Sequence, residues 1–349
     1  MKESEPWRST LSEGNVSEKT ATVALDGPTN ILVIEGLTMM DSSPFIDDIV
    51  AAAPEGSTVN VAAGLKDAAE YANDAEVILG VITERQFSDF AKLRWVHATA
   101  SGVDMFMFDD FVNSDVVLTG EKGLVGGHLA DTGWGLLLAL TRQIHTAIKL
   151  GPDAWEHRVE MRRNEIELEG LTMGVVGFGG TGRAIAKRAQ AFGMHNIAID
   201  GYPAEPDHGV EQVWGLDRLD DLLAQSDVVS VCLPLTEETD AMFNDELFAK
   251  MKPGSYIMNV TRGEIIDGPS LVRALESGQL GGAALDVAPG EPLTPDHALF
   301  SLPNVAMTPH TAGASQLRAG RNVARFIRNL ANAQSGAAFE GVVDKHAGF

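Results

Sequence analysis

LTMGVVGFGGTGRAIAKRAQAFGMHNIAID, residues 171–200, decides the fold. It opens with an apolar run, MGVVG, of the length and branching that suit a buried strand. The run leads straight into Gly177-x-Gly179-x-x-Gly182, and RAIAKRAQAF then places its apolar residues at helical spacing. A strand, a glycine turn and a helix in that order suit the pyrophosphate of a dinucleotide. The first glycine permits the tight turn, the second lets the backbone approach phosphate, and the third lets the helix pack on the strand. Gly180 and Thr181 complete the loop, and phosphates placed there would meet the positive end of the helix dipole. The next apolar run, HNIAI, ends at Asp200, where a carboxylate can hold both ribose hydroxyls. It would repel a 2′-phosphate, and the following Gly201-Tyr202-Pro203 offers no arginine to accept one, so the cofactor reads as NAD rather than NADP.

Working outward, six short apolar runs follow from Leu171: TMGVVGFGG, HNIAIDG, DVVSVCLP, GSYIMNV, GGAALDV and NVAMTP. Turns or helical stretches separate them, which is the doubly wound α/β pattern. Before this series the chain alternates again. ILVIE, STVNVAA, AEVILGV and RWVHATA read as strands, SPFIDDIVAAA and TERQFSDFAKL as helices, and RWVHATA runs into the turn SGVD. Between the two series lies the longest helical pattern, residues 124–149, suited to cross from one domain to the other; a last helix is expected in SQLRAGRNVARFIRNLANAQ. The expected division is a smaller parallel α/β domain from 1–123 and 312–349, and a nucleotide domain from 124–311. Residues 1–27 read as a polar arm ending at Gly27-Pro28.

Composition limits the function. A chain of 349 residues is comfortable as two domains. Lys+Arg 26 against Asp+Glu 49 gives a net charge of -23, which argues against wrapping a nucleic acid or binding an anionic membrane unaided. Simple solubility is the first reading of that acidity, ahead of salt adaptation. The single cysteine, Cys232, excludes an intrachain disulfide and a cysteine-cluster metal site, and no metal is expected; in VVSVCLP it reads as a buried strand residue. No run approaches the roughly 18 apolar residues of a membrane span, and MKESEPWRSTLSEGN has no apolar signal core, so the reading is a soluble, cytoplasmic protein.

Five words, in order and at matching spacing, carry a resemblance over about Val96 to Arg328: LEGLTMGVVGFGGTGRAIAKRAQAFGM (168–194), LPLTEET (233–239), MNVTRGEIID (258–267), ALDVAPGEPL (284–293) and TPHTAG (308–313). The chain resembles the D-isomer-specific 2-hydroxyacid dehydrogenases, which include phosphoglycerate, glycerate (hydroxypyruvate) and D-lactate dehydrogenases. The resemblance implies a Rossmann-type nucleotide domain beside a flavodoxin-like substrate domain, with the site in the cleft between them. It implies hydride transfer between NAD and C2 of a small 2-hydroxy or 2-oxo acid. Arg262 is then the substrate-binding arginine, able to grip a carboxylate and polarise the carbonyl. His310 is the acid/base, and Glu291 the carboxylate that orients its ring. Asp286 would take the nicotinamide carboxamide, with Pro234, Thr261, His310 and Gly313 among the cofactor contacts. Ser101 and Gly102, in SGVD, match the loop whose N–H groups receive the substrate carboxylate. A homodimer through the nucleotide domain is implied as well, and the apolar Trp134–Leu140 segment would suit a helix buried there.

Two departures stand out. Ala130-Asp131-Thr132 replaces the family's usual glutamate and apolar helix start, and Gly180-Thr181 replaces a bulkier pair in the phosphate loop. Two alternatives stay open: a nucleotide-sensing binding protein like the C-terminal-binding-protein corepressors, and a dehydrogenase of the same fold acting on another substrate such as phosphite. Ser101 stands where phosphite dehydrogenase has a lysine, and Glu291 where formate dehydrogenases have glutamine.

Overall fold

In the run NILVI at 30–34 every residue after Asn30 is buried, and alternate side chains enter different cores. Ile31 and Val33 join one, Leu32 and Ile34 the other. A strand covered on both faces is what a continuous apolar run encodes. The computed structural model describes residues 21–35, 42–202 and 204–349. They form two compact units. One is residues 126–313; the other is the described residues up to Val125 together with Ala314–Phe349. The expected polar arm lies outside the described residues as far as residue 20. Its last part is docked rather than free: Val23 and Leu25 are buried, and the Leu25 N–H donates to the Ala333 carbonyl (3.2 Å), since covering apolar side chains outweighs the order it costs.

The unit built from both chain ends has one parallel sheet: β1 (Asn30–Ile34), β2 (Thr58–Ala62), β3 (Val77–Leu79), β4 (Trp95–His97) and β5 (Val117–Thr119). Their order, β2-β1-β3-β4-β5, is the flavodoxin-like one. The helix Arg318–Ser335 covers one face, where Trp95 packs on Phe326 and Phe339 with ring centroids 4.9 and 4.6 Å away. The Thr119 hydroxyl serves both Trp95 Nε1 (2.8 Å) and His97 Nδ1 (2.7 Å). Burial, with the Arg325 charge, pushes the His97 imidazole down to about 3, so it is neutral. The helix expected in TERQFSDFAKL keeps one turn, Glu84–Phe87.

The other unit holds seven parallel strands: β6 (Thr172–Val176), β7 (His195–Ile199), β8 (Val210–Trp214), β9 (Val228–Val231), β10 (Ser255–Asn259), β11 (Leu280–Leu285) and β12 (Val305–Met307). The order β12-β11-β10-β9-β6-β7-β8 is the doubly wound one. Each of the six expected runs supplies one strand; β8, VEQVW, is the extra edge. The long helical pattern is two helices, Gly126–Thr141 and Ile144–Leu150, broken where Gln143 turns left-handed at φ 53 and its side-chain amide donates to the Leu140 carbonyl (3.2 Å). Trp134, Leu137 and Leu140 are buried within this unit itself, Trp134 stacked on Phe192 at 4.7 Å. The apolar segment expected to meet a second copy is therefore already covered. Among the described residues, no helix is long and apolar enough to cross a membrane.

Candidate active site

The strand order reverses between β6 and β9, neighbours at the centre of the seven-stranded sheet, so the loops at their C-terminal ends diverge and leave a crevice. The glycine loop follows β6. Gly177 is left-handed at φ 95, and a Cβ there would stand 2.7 Å from the Cys232 carbonyl oxygen, just beyond β9. A Cβ on Gly182 would lie 2.1 Å from the Gly177 carbonyl, so the helix Gly180–Ala191 closes onto the strand only with glycine there. Gly179 differs. It caps the helix, is exposed, and a Cβ on it would point into open space. Gly180 is exposed and Thr181 half-buried beside it. At the end of β7 the Asp200 carboxylate is fixed over this loop: Oδ2 accepts from the Phe178 N–H (2.6 Å) and Oδ1 from the Tyr202 N–H (2.9 Å). The loop and carboxylate form a cradle that fits a dinucleotide's pyrophosphate and ribose.

Strands β10, β11 and β12 carry the expected Arg262, Glu291 and His310 on their C-terminal loops. At the end of β10, the fully buried Asn259 organises the turn that presents Arg262. Its Oδ1 accepts from the Thr261 N–H (3.0 Å) and hydroxyl (3.1 Å), and its Nδ2 donates to the Arg262 carbonyl (2.8 Å). Arg262 Nη1 donates to the Thr261 carbonyl (2.8 Å). After β11, Asp286, 1 % exposed, has its carboxylate turned into the loop after β12. Oδ1 accepts from the Thr308 hydroxyl (2.6 Å) and the Thr311 N–H (2.9 Å), and Oδ2 from the Ala312 N–H (2.9 Å). That loop carries His310 in the left-handed region at φ 53, with its N–H on the Asp286 carbonyl (2.7 Å). The conformation costs a non-glycine residue about 1–2 kcal/mol, which the surrounding hydrogen bonds must offset.

Glu291 joins these loops. Its Oε1 accepts from the Ala288 N–H (2.6 Å), and its Oε2 meets His310 Nδ1 at 2.8 Å. The backbone of Gly263 packs so closely on Ala288 that a Cβ would lie 2.0 Å from the Ala288 carbonyl oxygen. The Arg262 turn, the Glu291 loop and the His310 loop are thus one packed assembly. With Nδ1 engaged, Nε2 is the ring nitrogen left to meet a substrate, and the imidazole is half-exposed.

The remaining expected residues are placed as follows. Pro234 lies beyond β9, its carbonyl accepting from the Thr239 hydroxyl (2.8 Å). Gly313 is half-buried at the end of the same unit. Ser101 and Gly102 follow β4 in the other unit, Ser101 exposed and Gly102 half-buried, and their N–H groups donate to no acceptor among the described residues. Cys232 sits just past β9 rather than within it and is half-buried; desolvation pushes its thiol up to about 12. Arg188 donates from Nη2 (2.6 Å) and Nε (3.1 Å) to Asp131 Oδ1, tying the helix Gly126–Thr141 to the helix Gly180–Ala191. Sequence reasoning passed over Asn259; its one signal is a polar residue closing the apolar run YIM before the Arg262 turn. Among the described residues, no group of histidine, cysteine and carboxylate side chains could hold a metal.

Residues 134–312 match the family described as D-isomer specific 2-hydroxyacid dehydrogenase, NAD binding domain. A glyoxylate reductase of Korarchaeum cryptofilum is 33% identical over 273 residues, 75% of this chain and 80% of that protein. Among solved structures, a D-isomer specific 2-hydroxyacid dehydrogenase family protein from Aeromonas salmonicida is similar with a TM-score of 0.75 at 28% identity, covering 91% of this chain and 100% of that one. An NADPH-dependent glyoxylate/hydroxypyruvate reductase from Sinorhizobium meliloti, in complex with NADP and sulfate, has a TM-score of 0.73 at 26% identity, covering 92% and 100%.

Proposed function

The chain belongs to the D-isomer-specific 2-hydroxyacid dehydrogenases, and from that premise we propose that it reduces a short 2-oxo acid, of the size of glyoxylate or hydroxypyruvate, with NADH. The observation that carries this reading is the assembly of Arg262, Glu291 and His310 on three packed loops beside a glycine cradle. Gly177, Gly179–Gly182 and Asp200 hold the dinucleotide, with Pro234, Thr261 and Gly313 as further contacts. Asp286 keeps the His310 loop in register, and the lone-pair capacity left on its Oδ2 is what a carboxamide would use. When bound, the reduced nicotinamide supplies the hydride.

Arg262 offers two parallel N–H donors, which suit a carboxylate and the adjacent C2 oxygen of a 2-oxo acid. As the C2 carbonyl becomes a hydroxyl, the oxygen needs a proton, and His310 Nε2 is the group placed to give it; in the reverse direction Nε2 takes it back. Glu291 on Nδ1 fixes the ring so that Nε2 faces outward from the loop. The N–H groups of Ser101 and Gly102 are a second set of donors suited to a carboxylate.

A homodimer in a cytoplasmic setting completes the reading. Its support is an apolar surface on the segment 144–164, where Ile148 is 75%, Trp155 80% and Val159 62% exposed. The activity is tested by initial rates of NADH oxidation with glyoxylate, hydroxypyruvate, pyruvate, phenylpyruvate and 3-phosphohydroxypyruvate. The first two should be turned over fastest. Binding of NADH with turnover of none of these acids would favour a nucleotide-sensing binding protein.

A further inference from the structure

The helix Arg318–Ser335 places Arg318, Asn322 and Arg325 on one face, at spacings of four and three residues. All three reach main-chain oxygens just past β4 and β5. Arg318 Nη2 donates to the Thr99 carbonyl (3.3 Å) and Asn322 Nδ2 to the Ala98 carbonyl (3.1 Å). Arg325 Nη1 donates to the carbonyls of Gly120 (2.9 Å) and Lys122 (2.7 Å). Arg318 also forks onto the Glu121 carboxylate, Nη2 to Oε2 at 2.6 Å and Nε to Oε1 at 3.0 Å. The Glu121 side chain is 0% exposed and that of Arg318 11%.

An ion pair buried this deeply is a poor way to gain stability, because the desolvation of two charges cancels most of their attraction, and apolar residues of similar volume serve as well. What apolar residues cannot do is hold a carbonyl at a fixed point. The carbonyl held here belongs to Thr99, two residues before Ser101, in the segment that leads into the SGVD loop.

We propose that Arg318, locked in one orientation by Glu121, is a positioning residue for the substrate loop: with Asn322 it pins Ala98 and Thr99, and so aims the N–H groups of Ser101 and Gly102 at the substrate carboxylate. The proposal rests on the reading of Ser101–Gly102 as that loop. It accounts for a charged pair buried in the unit, and it assigns a task to Arg318, Glu121 and Asn322, all outside every family word.

The test compares KM, kcat and NADH affinity in four variants, with glyoxylate and hydroxypyruvate as probes. Arg318→Lys keeps the charge and loses the fork; Glu121→Gln keeps the shape and loses the charge. The double variant Glu121→Leu/Arg318→Met removes the pair with a melting temperature expected near that of the unmodified chain, so it separates aim from stability. Each should raise KM for the oxo acid, by about tenfold or more for Arg318→Lys and the double variant, as expected for loss of a charge-assisted hydrogen bond. Their kcat should stay within about twofold and NADH binding unchanged. Gly102→Val is the control on the loop itself and should raise KM too. Wild-type KM in Arg318→Lys or in a folded double variant, alongside a raised KM in Gly102→Val, would overturn the positioning role alone. Wild-type KM in Gly102→Val would overturn the loop reading and the proposal with it.

Discussion

Glu291 and His310 are the residues on which the proposed chemistry depends, and their 2.8 Å contact engages Nδ1 and leaves Nε2 as the other imidazole nitrogen. Arg262 occupies the neighbouring loop. Replacing it by alanine should raise KM for the oxo acid and also depress kcat, because a guanidinium serves both ground-state binding and the charge developing on the C2 oxygen; steady-state kinetics separates the two. In the proposed reading Asp200 sets the cofactor choice. A carboxylate fixed by two backbone N–H groups cannot swing away from a 2′-phosphate, so kcat/KM should favour NADH over NADPH by at least about tenfold, or about 1.4 kcal/mol. Equal rates with both cofactors would contradict that placement. At this scale the sequence was most informative where a residue sits inside a specific word, as with Arg262 in NVTRG and His310 in TPHTAG. It was silent on Asn259, since an asparagine at a strand end reads as ordinary turn chemistry until the turn it organises is seen.

Each element carries its own test. Gly179 and Gly182 stand three residues apart and should fail in different ways. Gly179→Val fills the open space above the helix N-terminus, so NADH binding should fall at least about tenfold while the melting temperature holds. Gly182→Val drives a side chain into the Gly177 carbonyl and should lower both, as fluorescence titration and thermal melts would show. The glycine word was legible because Gly177 and Gly182 leave no space for a Cβ. Two of the four edge strands, β5 and β8, were not: VLT is too short to show a period, and VEQVW mixes its polarity as half-exposed edges do. The break at Gln143 was hidden too, because neither glycine nor proline marks it, and the left-handed residue's own amide donates to the Leu140 carbonyl of the helix before it. Trp134 misled for a related reason, since an apolar helix face says that it is covered but not by what.

Over the whole molecule, charge and burial pull on stability in opposite directions of pH and salt. The net charge of -23 is self-repelling, so raising salt from low concentration to about 0.5 M should raise the melting temperature; a fall would mean the acids are already well paired. Acid acts through His97. Its folded value is about 3 against 6.5 for the free group, so the unfolded chain takes up the proton first, and stability present above pH 6.5 is lost as the pH falls toward 3. Thermal melts between pH 7 and 4 should therefore show a smaller loss for His97→Gln than for the unmodified chain. Light scattering at micromolar concentration should give a dimer, with Trp155→Glu shifting it toward monomer, because a charge in an apolar contact must be desolvated.

The central claim is that this chain reduces a short 2-oxo acid with His310 as proton donor. It is tested most directly by initial rates of NADH oxidation with glyoxylate and hydroxypyruvate, measured side by side for the unmodified protein and His310→Ala. The account predicts turnover by the former and a kcat lower by about 10²–10⁴ in the latter, the usual contribution of a positioned general acid, with NADH affinity by fluorescence unaltered. Near-normal turnover by His310→Ala would contradict it.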